Sequence, residues 1–125
     1  MSPQLQEIFS EMQVAQKSGK LTIFRLSVLS QLLKIPKGEV TTYAKLAKSI
    51  NCRSSQAIGQ ALKANPWAPL APCHRVIKSD RSIGGFFGQR SGDQITKKIK
   101  LLKAEGVTFD NGGKLIAAIT IYNFD

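Results

Sequence analysis

Three of the chain's five prolines fall within eight residues, Asn65-Pro66-Trp67-Ala68-Pro69-Leu70-Ala71-Pro72. Each proline removes a backbone donor and restricts the residue before it, so no regular helix passes through this stretch. The segment is expected to be extended and stiff, and it delivers the chain directly to Cys73-His74-Arg75-Val76-Ile77. A chain of 125 residues suits one domain.

Upstream of the prolines the pattern is helical. Ile8, Met12 and Ala15 recur at helical spacing, and Gly19 supplies a stop, so residues 1–20 read as an accessory helix ahead of a main unit at 21–125. Phe24, Val28, Leu29, Leu32 and Leu33 mark one apolar helix face, ended by Ile35-Pro36-Lys37-Gly38. Thr41 or Thr42 caps a short helix carrying Leu46, Ala47 and Ile50. Ser54 caps a second one, reaching Ala64, with Ala57, Ile58, Ala61 and Leu62. Two short helices across a tight turn, preceded by a third, form a helix-turn-helix pattern. Gly59 sits inside the second helix, where it costs roughly 1 kcal/mol relative to Ala. Close approach by a nucleic-acid backbone accounts for that glycine, and so does tight helix packing.

Downstream, Ile95 to Ala104 reads as a helix with Ile95, Ile99 and Leu102 inward and Lys97, Lys98, Lys100 and Lys103 outward, ended by Gly106. Ile119-Thr120-Ile121-Tyr122 alternates loosely, as a strand does. The expected fold is mainly α with a small β element. No apolar stretch is long enough for a membrane span, and the N-terminus lacks the basic and apolar regions of a signal peptide. A soluble intracellular protein, nuclear or cytoplasmic and monomeric, is the expectation.

Eighteen Lys and Arg against eight Asp and Glu give a net charge of +10, which favours a polyanionic partner, nucleic acid being the commonest. Lys45, Lys48, Arg53, Lys63 and Arg75 are candidates for phosphate contacts, although each is by itself an ordinary surface charge. Two cysteines, Cys52 and Cys73, make no secreted disulfide framework, and one histidine with no CxxC makes no zinc site; neither metal nor cofactor is expected.

The chemistry concentrates at Pro72-Cys73-His74-Arg75-Val76, where the chain's one histidine adjoins a cysteine. A nucleophilic cysteine needs its thiolate, and a neighbouring base supplies it. Adjacent side chains do not face each other on a helix or a strand, so a bridging water is the more natural link between Cys73 and His74. The histidine then needs an acceptor on its far side to fix its tautomer. A buried cysteine that serves only as apolar filler is the competing interpretation of these residues alone.

Asn65-Pro66, six residues, then Cys73-His74-Arg75-Val76 resembles the active-site signature of the O6-alkylguanine-DNA alkyltransferase family. Further blocks fall in family order: Phe24 with Val28, the run from Ile35 to Tyr43, Ala57-Ile58-Gly59, Ile83-Gly84-Gly85-Phe86, and Leu101 to Val107. The similarity covers about residues 22 to 109, and the N-terminal domain of many members looks replaced by the twenty-residue tail. The resemblance implies a winged helix-turn-helix of the alkyltransferase C-terminal type. It also implies direct, irreversible, single-turnover transfer of an alkyl group from O6-alkylguanine in double-stranded DNA to a cysteine.

Carried over residue by residue, the resemblance makes Cys73 the alkyl acceptor, His74 its base through a water, and Glu105 the acceptor that orients His74. Asn65 would brace the turn after the recognition helix. Tyr43 would help rotate the nucleotide out and donate a proton to guanine. Val76, Ser79 and the Phe86-Phe87-Gly88 loop would line the base pocket. The helix from Ser54 to Lys63, with Ser55, Gln56, Ala57 and Gly59, would enter the minor groove, and Arg75 would join the DNA contacts.

Two positions depart from the family pattern. Gln56 stands where an arginine usually fills the gap left by the flipped base, and it lacks that side chain's charge and plane. Phe87 stands where a small or polar residue is usual. A rival implied by the same resemblance is an alkyltransferase-like protein that recognises the lesion without transfer; such proteins typically carry another residue at the cysteine position.

Overall fold

Side-chain caps start the first four helices. The computed structural model describes residues 2–87 and 92–124. Helix α1 (Pro3–Lys17) begins under Ser2, α2 (Ile23–Leu32) under Thr22, α3 (Tyr43–Ser49) under Thr42 and α4 (Ser55–Lys63) under Ser54. In each case the hydroxyl accepts from a first-turn amide that would otherwise lack a partner. Helix α5 (Asp93–Ala104) follows Gly92, with no side-chain cap, and ends before Gly106 at φ +85°.

Ile8 and Met12 of α1 join Val28, Leu29 and Leu32 of α2, Leu46 of α3 and Ile58 and Leu62 of α4 in one buried cluster. Burial of each such side chain contributes about 1.5–3 kcal/mol, so α1 is held by the same core as the helices it packs against. Helix α3 packs on α4 and both pack on α2, giving the helix-turn-helix expected from the caps.

Two short strands tie this helical part to the chain beyond the prolines. Strand β1 (Thr41–Thr42) pairs in parallel with β2 (Val76–Ile77), Thr41 opposite Val76 and Thr42 opposite Ile77. The pairing sets the start of α3, and hence Tyr43, beside the segment that carries Cys73. A second, smaller cluster of Val40, Ile77, Leu102, Val107 and Leu115 lies beneath the sheet and α5. Among the described residues no helix is long and apolar enough to cross a membrane.

Four expectations are corrected. Residues 65–72 curl through successive turns instead of extending. Asn65 supplies the bonds that prolines cannot: its Nδ2 donates to the Ala71 carbonyl (2.8 Å) and its Oδ1 accepts from the Trp67 amide (2.9 Å). The tail makes one parallel bridge, Val40 with Ile121, and not a strand, because β1 gives way to α3 and offers no further extended backbone to pair. Phe24, in the first turn of α2, reaches past the packed stretch and is 37% exposed. On α5 the buried line runs through Lys98 and Leu102, one turn apart, while Ile99 is 44% exposed.

Candidate active site and nucleic-acid interface

A single 3-10 turn, Cys73–Arg75, presents the reactive residues. Cys73 is buried, and its amide donates to the Ala71 carbonyl at 2.9 Å, so the turn closed by Asn65 fixes the backbone that carries the thiol. His74 is 2% exposed and sets Nε2 at 3.1 Å from Glu105 Oε2, on the residue that caps the C-terminus of α5. A carboxylate only accepts, so this contact places the imidazole proton on Nε2 and leaves Nδ1 as the acceptor. Nδ1 is buried and has no partner among the described residues.

Burial pulls His74 below the usual imidazole range; Glu105 works against this, while the charges of Arg75 and Lys98 add to it. Burial pushes the Cys73 thiol up, opposed by Asn65, Lys98 and local backbone donors. Burial also pushes Glu105 up, but hydrogen bonds from Arg75 and His74 outweigh it and hold the carboxyl low. The resting site is therefore a thiol beside a neutral imidazole backed by a carboxylate, with Nδ1 free to take a proton.

Arg75 departs from the expected phosphate contact. Its Nε and Nη2 donate to the two oxygens of Glu105, each at 2.8 Å, and Nη1 donates to the Ile35 carbonyl at 2.7 Å. With its side chain 15% exposed, it is a brace between α5 and the loop after α2, because a bidentate carboxylate satisfies the guanidinium fork better than solvent does.

Lys98 was hidden from sequence reasoning, since a lysine flanked by lysines reads as a solvated face. It is fully buried, and Nζ donates to the carbonyls of Val76, Ile83 and Gly85 at 2.8, 2.6 and 3.0 Å. Burial pulls this amine down to about 7, and the Cys73 sulfur works the other way, as do carbonyl acceptors. Only its position one turn before Leu102 hinted at burial. The residues it gathers wall the site. Tyr43 donates its hydroxyl to the Gly85 carbonyl at 3.2 Å, and burial pushes that hydroxyl up to about 12. Gly84 has φ +73°, and a Cβ there would come within 3.1 Å of the Tyr43 ring, so this position requires glycine.

These elements enclose a cleft of about 1150 Å³. Tyr43, Ser55, Gln56, Gly59 and Lys63 line it from the helix-turn-helix, Ser79, Phe86 and Phe87 from the opposite loop, and Cys73 from within. The Phe86 and Phe87 rings lie 4.4 Å apart at a tilt of 56°, with Phe87 at φ +48°. A Cβ on Gly59 would meet nothing within 4 Å, so tight packing inside the chain does not explain that glycine; it keeps the cleft face of α4 flat.

Val76, expected in the base pocket, and Ser54 and Ala57, expected on the DNA-facing helix, do not line the cleft. Val76 is buried in the core on β2, and its carbonyl bonds Lys98. Ser54 spends its hydroxyl on the Ala57 amide as the cap of α4, and Ala57 is half-buried. Gly88 lies outside the described residues. Among the phosphate candidates, Lys63 faces the cleft, and Lys48 and Arg53 border a smaller hollow at the turn between α3 and α4. Lys45 donates to Asn123 Oδ1 at 2.6 Å.

Comparison with known proteins bears on the same region. The family model described as 6-O-methylguanine DNA methyltransferase, DNA binding domain, matches residues 23–107. A methylated-DNA--protein-cysteine methyltransferase of Saccharolobus islandicus is 43% identical over 84 residues, which are 67% of this chain and 51% of the relative. The chain thus spans about half the length of that relative. The O6-methylguanine-DNA methyltransferase of Pyrococcus kodakaraensis aligns at TM-score 0.61 and 39% identity, covering 70% of this chain and 48% of that one. The ATL protein of S. pombe, solved in complex with DNA, aligns at TM-score 0.64 and 25% identity, covering 82% of this chain and 94% of that one.

Proposed function

Since the chain belongs to the 6-O-methylguanine DNA methyltransferase family, whose DNA-binding domain it carries, we propose that it repairs DNA by taking an alkyl group from the O6 of guanine onto Cys73. The observation that carries this reading is the grouping at one turn: Cys73 opens onto the cleft, and the adjoining His74 keeps Nδ1 without a partner among the described residues while Nε2 is held by Glu105.

The alkyl carbon on O6 lies inside the duplex, so the nucleotide must turn out of the stack, at a cost of a few kcal/mol. The flat face of α4 at Gly59 lets the backbone approach, and the cleft between Tyr43 and Phe87 receives the base. His74 Nδ1 takes the Cys73 proton through a bridging water, and Glu105 stabilises the imidazolium. The thiolate sulfur then bonds to the alkyl carbon as the carbon–O6 bond breaks, and the electron pair leaves with guanine. The Tyr43 hydroxyl, protonated across the neutral range, donates to that leaving group. The product is a thioether that no residue here reverses, so one molecule repairs one lesion.

Lesion recognition without transfer is the reading that Gln56 favours, because it weakens the support for a flipped base. Blocking Cys73 with iodoacetamide separates the two. Transfer from a duplex carrying O6-methylguanine is abolished under the first reading. Under the second, untreated protein binds the lesion selectively and transfers nothing.

A further inference from the structure

The transfer mechanism leaves Arg75 without a task, yet Arg75 makes more side-chain hydrogen bonds at the site than His74 does. Glu105 Oε2 is shared: it accepts from His74 Nε2 at 3.1 Å and from Arg75 Nη2 at 2.8 Å, while Oε1 accepts from Arg75 Nε at 2.8 Å. Both partners of the ion pair are largely covered, 15% and 12% exposed, so solvent screens it weakly. The third bond, Nη1 to the Ile35 carbonyl, anchors the guanidinium to the loop after α2 and prevents it from following Glu105.

We propose that Arg75 is a positioning residue which fixes the Glu105 carboxylate and offsets its charge, so that His74 stays neutral with its Nδ1 lone pair free. An unshared carboxylate at this distance pulls His74 toward the imidazolium, with a proton on the nitrogen that must receive one from Cys73. Arg75 removes that excess attraction and keeps the orienting bond. Among the described residues, the charged groups that act on His74 are Glu105 at the C-cap of α5, Lys98 within α5, and Arg75 of its own turn. Burial does most to lower the proton affinity of His74; Glu105 raises it, and the charges of Arg75 and Lys98 oppose Glu105. The use of the free lone pair in transfer rests on the function proposed above; the charge sharing does not.

His74 is the only histidine in the chain, so its imidazole nitrogens give one unambiguous set of signals in long-range 1H–15N spectra. Their titration is followed in the unaltered protein, in Arg75→Met, which keeps the stem and loses the charge, and in Arg75→Lys. The midpoint should rise by about one pH unit or more in Arg75→Met, as expected for removing a cation a few ångströms away. In Arg75→Lys it should stay within a few tenths of a unit of the original. Should Arg75→Met fail to fold, Arg75→Gln, which retains a donor for the Ile35 carbonyl, carries the same prediction. An unchanged or lowered midpoint in a folded neutral variant overturns the proposal. The acid limb of the transfer rate should move up by the same amount in that variant. Absence of transfer in the unaltered protein would count against the proposed function and leave the titration result standing.

Discussion

Lys98 and Tyr43 meet on one atom: both donate to the carbonyl oxygen of Gly85, Lys98 Nζ at 3.0 Å and the Tyr43 hydroxyl at 3.2 Å. A residue from α5 and one from the start of the helix-turn-helix therefore hold the same point of the pocket wall. Lys98 reaches two further carbonyls, Val76 and Ile83, on the backbone that runs from Cys73 to that wall.

Replacing Lys98 with Met fills the volume and takes this donor from the Val76 and Ile83 carbonyls, each at a cost of about 1–3 kcal/mol, while Gly85 keeps the Tyr43 hydroxyl. Release of a buried charge returns part of this. We expect a folded protein whose Ile83–Phe86 amides exchange at least tenfold faster and whose single-turnover transfer is at least tenfold slower. Hydrogen exchange and quenched-flow kinetics check the two together.

Gly59→Ala is expected to separate stability from binding. Beyond the adjoining backbone of α4 itself, no atom of the described residues lies within 4 Å of the new methyl, and Ala in a helix interior is worth about 1 kcal/mol over Gly, so the melting temperature should rise. The same methyl intrudes on the cleft face of α4, the face proposed to meet DNA. Fluorescence anisotropy with a labelled duplex should show weaker binding, and affinity equal to the original would remove Gly59 from the interface.

Gln56 faces the cleft beside Gly59. Gln56→Arg supplies a planar cation at the position to which the resemblance assigns the filling of the vacated stack, so transfer from duplex DNA should speed up several-fold. Transfer from the free O6-alkylguanine base, which needs no flipping, should not change. Equal acceleration on both substrates would place the effect elsewhere.

Between about pH 7 and 5, His74 contributes to the pH dependence of stability. Its folded value lies below the ordinary imidazole value, so between the two the unfolded chain binds a proton that the folded chain refuses. Stability from this residue is complete above about pH 6.5 and falls as pH drops, by up to about 1.4 kcal/mol per pH unit. Urea titrations from pH 7 to 5 should show a shallower loss in His74→Gln than in the original.

Much of the fold was legible because local chemistry and tertiary structure agree. Thr42 and Ser54 cap the helices they were expected to cap, and Gly106 follows α5 where a stop was expected. The nearness of His74 and Glu105 came only from the family resemblance, for nothing in the spacing of two residues 31 positions apart brings them together. The hidden features were set by partners distant in sequence. Lys98 is buried because three carbonyls converge on it, and Arg75 turns inward because Glu105 and Ile35 offer it acceptors. The curl at residues 65–72 was missed because prolines report what the backbone cannot do, while Asn65 decides what it does.

The central claim is that Cys73 itself receives the alkyl group. Intact-protein and peptide mass spectrometry after incubation with a duplex carrying O6-methylguanine tests it most directly. One added methyl on the Cys73 peptide, absent with unmodified duplex, is the predicted result. An unchanged mass despite lesion-selective binding would contradict it and leave a domain that recognises the damage without removing it.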